Sequence, residues 1–373
     1  MFGVVRRSVV LLRTWPWLLP LLVACATSRN AATPDDTDDE IGIGAEQRRV
    51  LEARVHVGAM ALRGSRLYFT SAGREGDEIW VMPAAGGDIP KLVLAGHTLE
   101  AAPVFDDDFV YFVAAGGTLH RAPLRGQGLL ETLATPAAGP GAAPEPESLD
   151  SFHGFAFDVR TLPEAMALDG SSVYWLAPAR RTVWRAPKHG GQAAPVAELG
   201  AAVAAKLALG ADHVYVGTSG DGGAHLLRRA KTGAGGLETL AKVDDARLFA
   251  IAGSRVVWVA SDTLFGLPPL GATPPKISAP AGKDYDFPSV WVVAATEGAV
   301  YFSSWDSGRG DGAVSRQPLD GGPSRVLAAH LYGAPGLLAI HGDSVYFATL
   351  GHKAHPKMRK SVSGCCSIWA MPR

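Results

Sequence analysis

Seven times along the chain an apolar, usually β-branched residue leads into aromatic or further apolar residues, each time just after a turn containing Gly or Asp. The cores are Leu67-Tyr68-Phe69, Val110-Tyr111-Phe112, Val173-Tyr174-Trp175, Val214-Tyr215-Val216, Val256-Val257-Trp258, Val300-Tyr301-Phe302 and Val345-Tyr346-Phe347. Their central positions, 68, 111, 174, 215, 257, 301 and 346, are separated by 43, 63, 41, 42, 44 and 45 residues. Only the second interval breaks the period. It contains a Pro/Ala/Gly-rich stretch from Thr135 to about Asp150, which reads as an inserted loop.

Each unit continues the same way. Ile79-Trp80-Val81-Met82-Pro83 runs into Gly86-Gly87, Val183-Trp184-Arg185-Ala186-Pro187 into Gly190-Gly191, and Val314-Ser315-Arg316-Gln317-Pro318 into Gly321-Gly322. Gly supplies the positive φ of a tight turn, and Pro ends a strand where its missing N–H does no harm. A third strand follows, as in Lys91-Leu92-Val93-Leu94, Glu131-Thr132-Leu133-Ala134 and Arg325-Val326-Leu327-Ala328. A fourth precedes the aromatic core, as in Ala165-Met166-Ala167-Leu168. Four short antiparallel strands at a fixed repeat predict an all-β, seven-bladed β-propeller over residues 47–373. The last unit stops after Ile368-Trp369-Ala370-Met371-Pro372-Arg373, one strand short, while Arg49-Val50-Leu51-Glu52 matches the missing strand. The N-terminal strand is therefore expected to pair with the C-terminal blade and close the ring, removing an exposed edge.

Before the first repeat the pattern changes. Arg6, Arg7 and Arg13 precede the apolar stretch Trp15–Val23, too short for a bilayer-spanning helix of roughly 20 residues but suited to a secretory signal. Leu22-Val23-Ala24-Cys25 resembles the bacterial lipobox. That resemblance implies cleavage after residue 24 and lipidation of Cys25, with Ala26 in place of the Asp associated with inner-membrane retention. Residues 25–46 show no apolar periodicity and carry Asp35, Asp36, Asp38, Asp39 and Glu40, so they read as a solvated tether. The expected location is the cell envelope, with the domain anchored at the outer membrane.

Asp169-Gly170-Ser171-Ser172-Val173-Tyr174-Trp175, with Val183-Trp184-Arg185 and Gly190-Gly191, resembles the YWTD-type propellers of lipoprotein receptors and related bacterial extracytoplasmic propellers. The Thr-Asp of that motif is Leu176-Ala177 here, and the eukaryotic domains have six blades. The resemblance implies a fold and a habit of binding proteins or ligands, not an activity.

Composition narrows the function. A formal net charge of −1 argues against nucleic-acid binding. Gly 44 and Pro 26 suit turn-rich β architecture, and with Asn present only at Asn30 the turns rely on Gly and Asp. No Gly-x-Ser-x-Gly, His-Glu-x-x-His or phosphate-loop motif occurs. The expected function is a non-enzymatic binding or scaffolding module for a protein or small ligand. The alternative is a hydrolase or lyase whose residues converge on the central channel. The segments after the aromatic cores and between blades (Ser71–Glu78, Thr135–Leu162, Ser278–Pro288, Ser303–Gly312 and Thr349–Ser367) are long and fall on one face, where recognition is expected. Trp305, Asp306, Arg309 and His352 are the candidate ligand contacts there. Trp305–Gly312 reads either as a Ca²⁺-holding loop or as a solvated hairpin. Cys365 and Cys366, near His352 and His355, read as a vicinal disulfide, an inert pair or transition-metal ligands. No cofactor is otherwise expected. The repeat aromatics are expected to pack between blades.

Overall fold

The computed structural model describes residues 47–53, 57–125, 129–136, 162–177, 181–260, 263–268, 289–306, 311–332, 334–350 and 366–373. They form seven antiparallel sheets, each a meander in chain order. Blade 1 comprises Val57–Arg63, Arg66–Ala72, Asp77–Pro83 and Lys91–His97; blade 2 comprises Val104–Phe105, Phe109–Ala114, Thr118–Pro123 and Glu131–Ala134. Met166–Leu168, Ser172–Leu176, Thr182–Pro187 and Ala194–Glu198 make blade 3, and Val203–Leu209, His213–Gly220, Gly223–Ala230 and Glu238–Val243 make blade 4. Three strands of blade 5 are described: Phe249–Ala252, Arg255–Ala260 and Thr263–Leu267. Blade 6 has Ser289–Ala295, Ala299–Asp306, Asp311–Pro318 and Arg325–Tyr332. Blade 7 has Ala334–His341, Ser344–Leu350 and Cys366–Pro372, with Arg48–Ala53 hydrogen-bonded outside them. In that last pairing Arg49 faces Trp369 and Leu51 faces Ile368.

First strands are innermost. Each touches the first strand of the next blade, and that of blade 7 touches that of blade 1, so the sheets form a seven-bladed β-propeller. The apolar core lies between blades because each sheet turns both faces to a neighbour. One cluster joins Leu67 and Phe69 of blade 1 to Tyr346 and Ala370 of blade 7, another joins Tyr68 and Ile79 to Phe105 and Phe112 of blade 2, and a third links Phe302 of blade 6 to Val257 of blade 5. The aromatics of the repeat sit here, Tyr111, Trp175 and Tyr301 being almost fully buried.

A meander places the turns between first and second strands, and those between third and fourth, at one end of the ring. The other connections lie at the opposite end. At the first end the repeat has a backbone signature. The residue after the third strand donates its N–H to a carbonyl of the same blade's first turn: Ala84 to Ser65, Leu124 to Asp108, Lys188 to Ser171, Lys231 to Asp212, Leu319 to Gly298 and Arg373 to Asp343, at 2.7–3.0 Å. Blade 5 has Pro268 at this position, which has no N–H to donate.

Candidate functional site

Three expected long loops are shorter than the sequence suggests, because the second and third strands run further. Ser71 and Ala72, and Asp77 and Glu78, are strand residues around a tight turn in which Gly73 N–H donates to Gly76 O at 2.8 Å. Ser303–Asp306 and Asp311–Gly312 are strand residues as well, and Thr349 and Leu350 continue the second strand of blade 7. Trp305 is accordingly not an exposed loop residue. It lies opposite Gly312 in the ladder and is 2% exposed, so its indole is committed to packing. Asp306 ends its strand opposite Asp311, and Cys366 pairs with Ala53 at the start of its own strand. Cys25, Arg309, His352, His355 and Cys365 lie outside the described residues. Among the described residues no group of three or more His, Cys, Asp or Glu gathers to hold a metal ion.

The structure instead brings together a charged cluster in the central channel. Lys206 belongs to the innermost strand of blade 4, yet its Nζ lies 3.5 Å from the carbonyl of Val293 in the innermost strand of blade 6. Blade 5 intervenes in the ring, so that reach crosses the channel. The same Nζ forms an ion pair with Glu164 at 2.7 Å and sits 5.5 Å from the ring centroid of Phe249 in blade 5. The Lys206 side chain is 7% exposed, whereas that of Glu164 is 52% exposed. The cluster therefore runs from a buried cation to a carboxylate open to solvent.

Local backbone explains the placement. The ladder between the first two strands of blade 4 shifts register between Ala204 and Lys206, and a bulge of this kind re-aims the side chain beside it. Glu164 is fixed by its own segment: Leu162 N–H donates to Gly58 O of blade 1, Ala102 N–H to Pro163 O, and Leu207 N–H of blade 4 to Glu164 O. The end of the long insertion is thus pinned to three other blades across the channel mouth. Beside it, Arg247 Nε donates to Asp245 Oδ1 at 2.9 Å on the connection into blade 5. Burial by itself would push the Asp245 carboxyl up, but the Arg247 guanidinium, the Arg247 N–H and the Lys206 charge hold it below its ordinary value. Glu164, Asp245 and Arg247 belong to connections at the end opposite the short first turns, and Lys206 reaches them from the middle of its strand.

Sequence reasoning missed this cluster. Lys206 is a lone charge in the otherwise apolar run Val203-Ala204-Ala205-Lys206-Leu207-Ala208-Leu209, which is a legible anomaly. Its partners come from three other repeats and leave no local signal.

The short-turn end carries a second set of charges with a different character. Asp106 Oδ1 accepts the N–H groups of Asp108 and Phe109, while its other oxygen accepts the Tyr111 hydroxyl at 2.8 Å and meets Lys188 Nζ of blade 3 at 3.4 Å. The arrangement repeats one blade on: Asp169 Oδ1 accepts Ser171 and Ser172 N–H, and Oδ2 meets Lys231 Nζ of blade 4 at 3.3 Å. Arg121 donates to Lys188 O at 2.8 Å and Arg185 to Lys231 O at 2.9 Å, each across the same two junctions. Burial raises both carboxyls, but the backbone N–H groups and the facing lysines outweigh it and hold them low. Burial and the Asp106 hydrogen bond push the Tyr111 hydroxyl up. These are inter-blade clamps, in which each aspartate meets a lysine of the next blade.

No family model matches the chain, and no curated protein matches it in sequence. Solved structures do match as folds. Virginiamycin B lyase from Staphylococcus aureus, solved as an inactive variant with quinupristin, is similar at TM-score 0.57 and 12% identity over 87% of this chain and 99% of that one. The GH74 xyloglucanase of Xanthomonas campestris matches at TM-score 0.55 and 16% identity, over 81% of this chain and 52% of that chain. YCF48 bound to D1 peptide matches at 0.53 and 10%, over 88% and 96%. At these identities the likeness establishes the propeller fold alone.

Proposed function

We propose that this chain is an envelope-anchored, non-enzymatic binding propeller, held by a lipidated Cys25 and engaging a protein or ligand at the mouth of its channel. The observation that carries the reading is the Lys206–Glu164 pair. It exposes one carboxylate at the mouth while its cation stays in the wall, beside an Asp245–Arg247 pair at the same end. General-acid catalysis by either of these carboxyls would need it kept protonated near neutral pH. Asp245 is instead held ionised, and Glu164 is matched by a cation. Paired charges around an opening suit recognition of a polar segment, in which the ligand exchanges with existing hydrogen bonds. YCF48, a structure of similar fold, was solved bound to a peptide, which is consistent with a polypeptide partner.

The test is site-specific photo-crosslinking in cells. A photoreactive residue at Asp221, in the turn joining the second and third strands of blade 4, should capture a partner; one at Asp343, on the opposite end, should not. Capture at Asp343 alone would overturn the assignment of the binding end. The anchor is tested separately, since Cys25→Ser should release the chain from membranes. Unchanged fractionation of that variant would remove the anchor from the proposal.

A further inference from the structure

Four large apolar side chains are exposed among the described residues: Ile89 (84%), Leu92 (51%), Leu129 (85%) and Leu130 (40%). They are not scattered. Ile89, Leu129 and Leu130 belong to the connections between third and fourth strands of two adjacent blades, 1 and 2, and Leu92 is the second residue of the strand that follows Ile89, so all four lie at the short-turn end or its rim. Ile89 and Leu92 line an open groove of about 470 Å³ between these blades, floored by Met82, Pro123 and Leu124. Isolated exposed leucines are ordinary, but adjacent tips of one sector leave apolar surface that needs a cover.

The chain itself indicates what covers it. Arg48–Ala53 starts at this same end, beside blade 1: Arg48 donates to Ala84 O at 3.4 Å, at the beginning of the connection that carries Ile89. Everything before Gln47 therefore joins the ring next to the apolar sector. Twenty-one residues, positions 26 to 46, separate Cys25 from Gln47. A proposed anchor that few residues from the entry point would hold this end of the ring at high effective concentration beside the bilayer. At that effective concentration even a few apolar tips engage repeatedly. The exposed charges of the sector favour an anionic surface. Arg48, Arg49, Arg66, Lys91 and Arg125 outnumber Asp88, Asp107, Asp108 and Glu131, the last of which is paired with Arg121.

We infer that the short-turn end of blades 1 and 2 rests on an anionic lipid surface, with Ile89 and Leu129 entering the headgroup layer and the channel mouth at Glu164 turned away from the membrane. The inference rests on the proposed anchor at Cys25 and adds orientation to it. A protein-binding role for the same sector is the competing occupant.

Hydrogen exchange separates these readings. The lipidated chain on vesicles of phosphatidylethanolamine and phosphatidylglycerol is compared with the Cys25→Ser chain in solution. Exchange should slow several-fold in the connections 84–92 and 129–131, with no change around Asp221. An Ile89→Ser, Leu129→Ser chain should still float with the vesicles but lose that protection. Flotation without protection of these connections, or protection at the Asp221 end, would overturn the orientation and leave the anchor standing. Failure of the lipidated chain to float would overturn both. Protection of the same connections in the Cys25→Ser chain, without lipid and rising with protein concentration, would assign the sector to a protein contact instead.

Discussion

At the scale of single residues, a glycine permits a close approach between two blades. Gly217, in the second strand of blade 4, faces the connection into blade 5, and a Cβ there would lie 1.7 Å from the Ala246 carbonyl oxygen and 3.0 Å from the Phe249 ring. Backbone cannot yield as a side-chain tip can, so Gly217→Ala should destabilise the fold by about 1–3 kcal/mol or more, as overpacking does. The displaced segment carries Asp245 and Arg247, and the cost should therefore appear both in the denaturant midpoint and in any binding at the channel mouth. An unaltered midpoint would mean that the two blades are not held this closely.

At the scale of elements, the repeats contain their own comparison. The position that holds Asp106 and Asp169 in blades 2 and 3 is Gly210 in blade 4. The position that holds Lys188 and Lys231 is Pro268 in the blade that follows it. Both halves of the clamp are absent together, as expected when a buried cation without its carboxylate would cost more than the pair gains. A double-mutant cycle on Asp169 and Lys231, with Asn and Met, should return a coupling of about 1 kcal/mol. The clamps also set an acid limit. Asp106 and Asp169 have folded values below the ordinary carboxylate value, so their contribution is complete above about pH 4 and is lost as pH falls through the lower folded values. The melting temperature should fall on acidification below that point, and less steeply in Asp169→Asn. The same slope in the variant would remove Asp169 from the account. The pairing of Arg48–Ala53 with Cys366–Pro372 makes a third expectation at this scale. Deleting residues 47–53 exposes the edge of the blade 7 sheet and removes the Arg49 contact over Trp369. A melting temperature lower by at least about 5 °C is expected.

At the scale of the whole molecule, the two ends of the ring do different work. The short-turn end carries the repeat's backbone signature and its paired inter-blade charges, which make it the stiff end. The other end receives the connections between blades, and it is there that Lys206, Glu164 and Asp245 meet. Replacing Lys206 by Met keeps the volume and removes the charge, leaving Glu164 exposed and unpaired. On the reading above, that change should abolish capture at Asp221 while altering stability by less than about 1.5 kcal/mol, as a volume-conserving substitution allows. Loss of both together would mark Lys206 as structural.

The sequence by itself determined the fold. A blade is a local object, and its strands, turns and aromatic pairs repeat within 41–45 residues wherever no insertion intervenes, so period and alternation were enough to count seven blades. It also pointed to burial of most repeat aromatics between blades, as with Tyr68, Tyr111, Tyr174, Tyr301 and Tyr346, while Trp258 and Trp369 are only half-buried. The channel cluster was decided only by closure. Blades 3 to 6 reach one ammonium group only when the chain bends into a ring, and nothing in local pattern encodes which inner-strand residues then converge. Strand length was also a tertiary matter. Ser303 to Trp305 read as loop because Ser, Trp and Gly give no alternation, yet packing against neighbouring blades extends the ladder through them and takes Trp305 out of solvent. Propensity governs where a strand starts; the neighbouring sheet governs how far it runs.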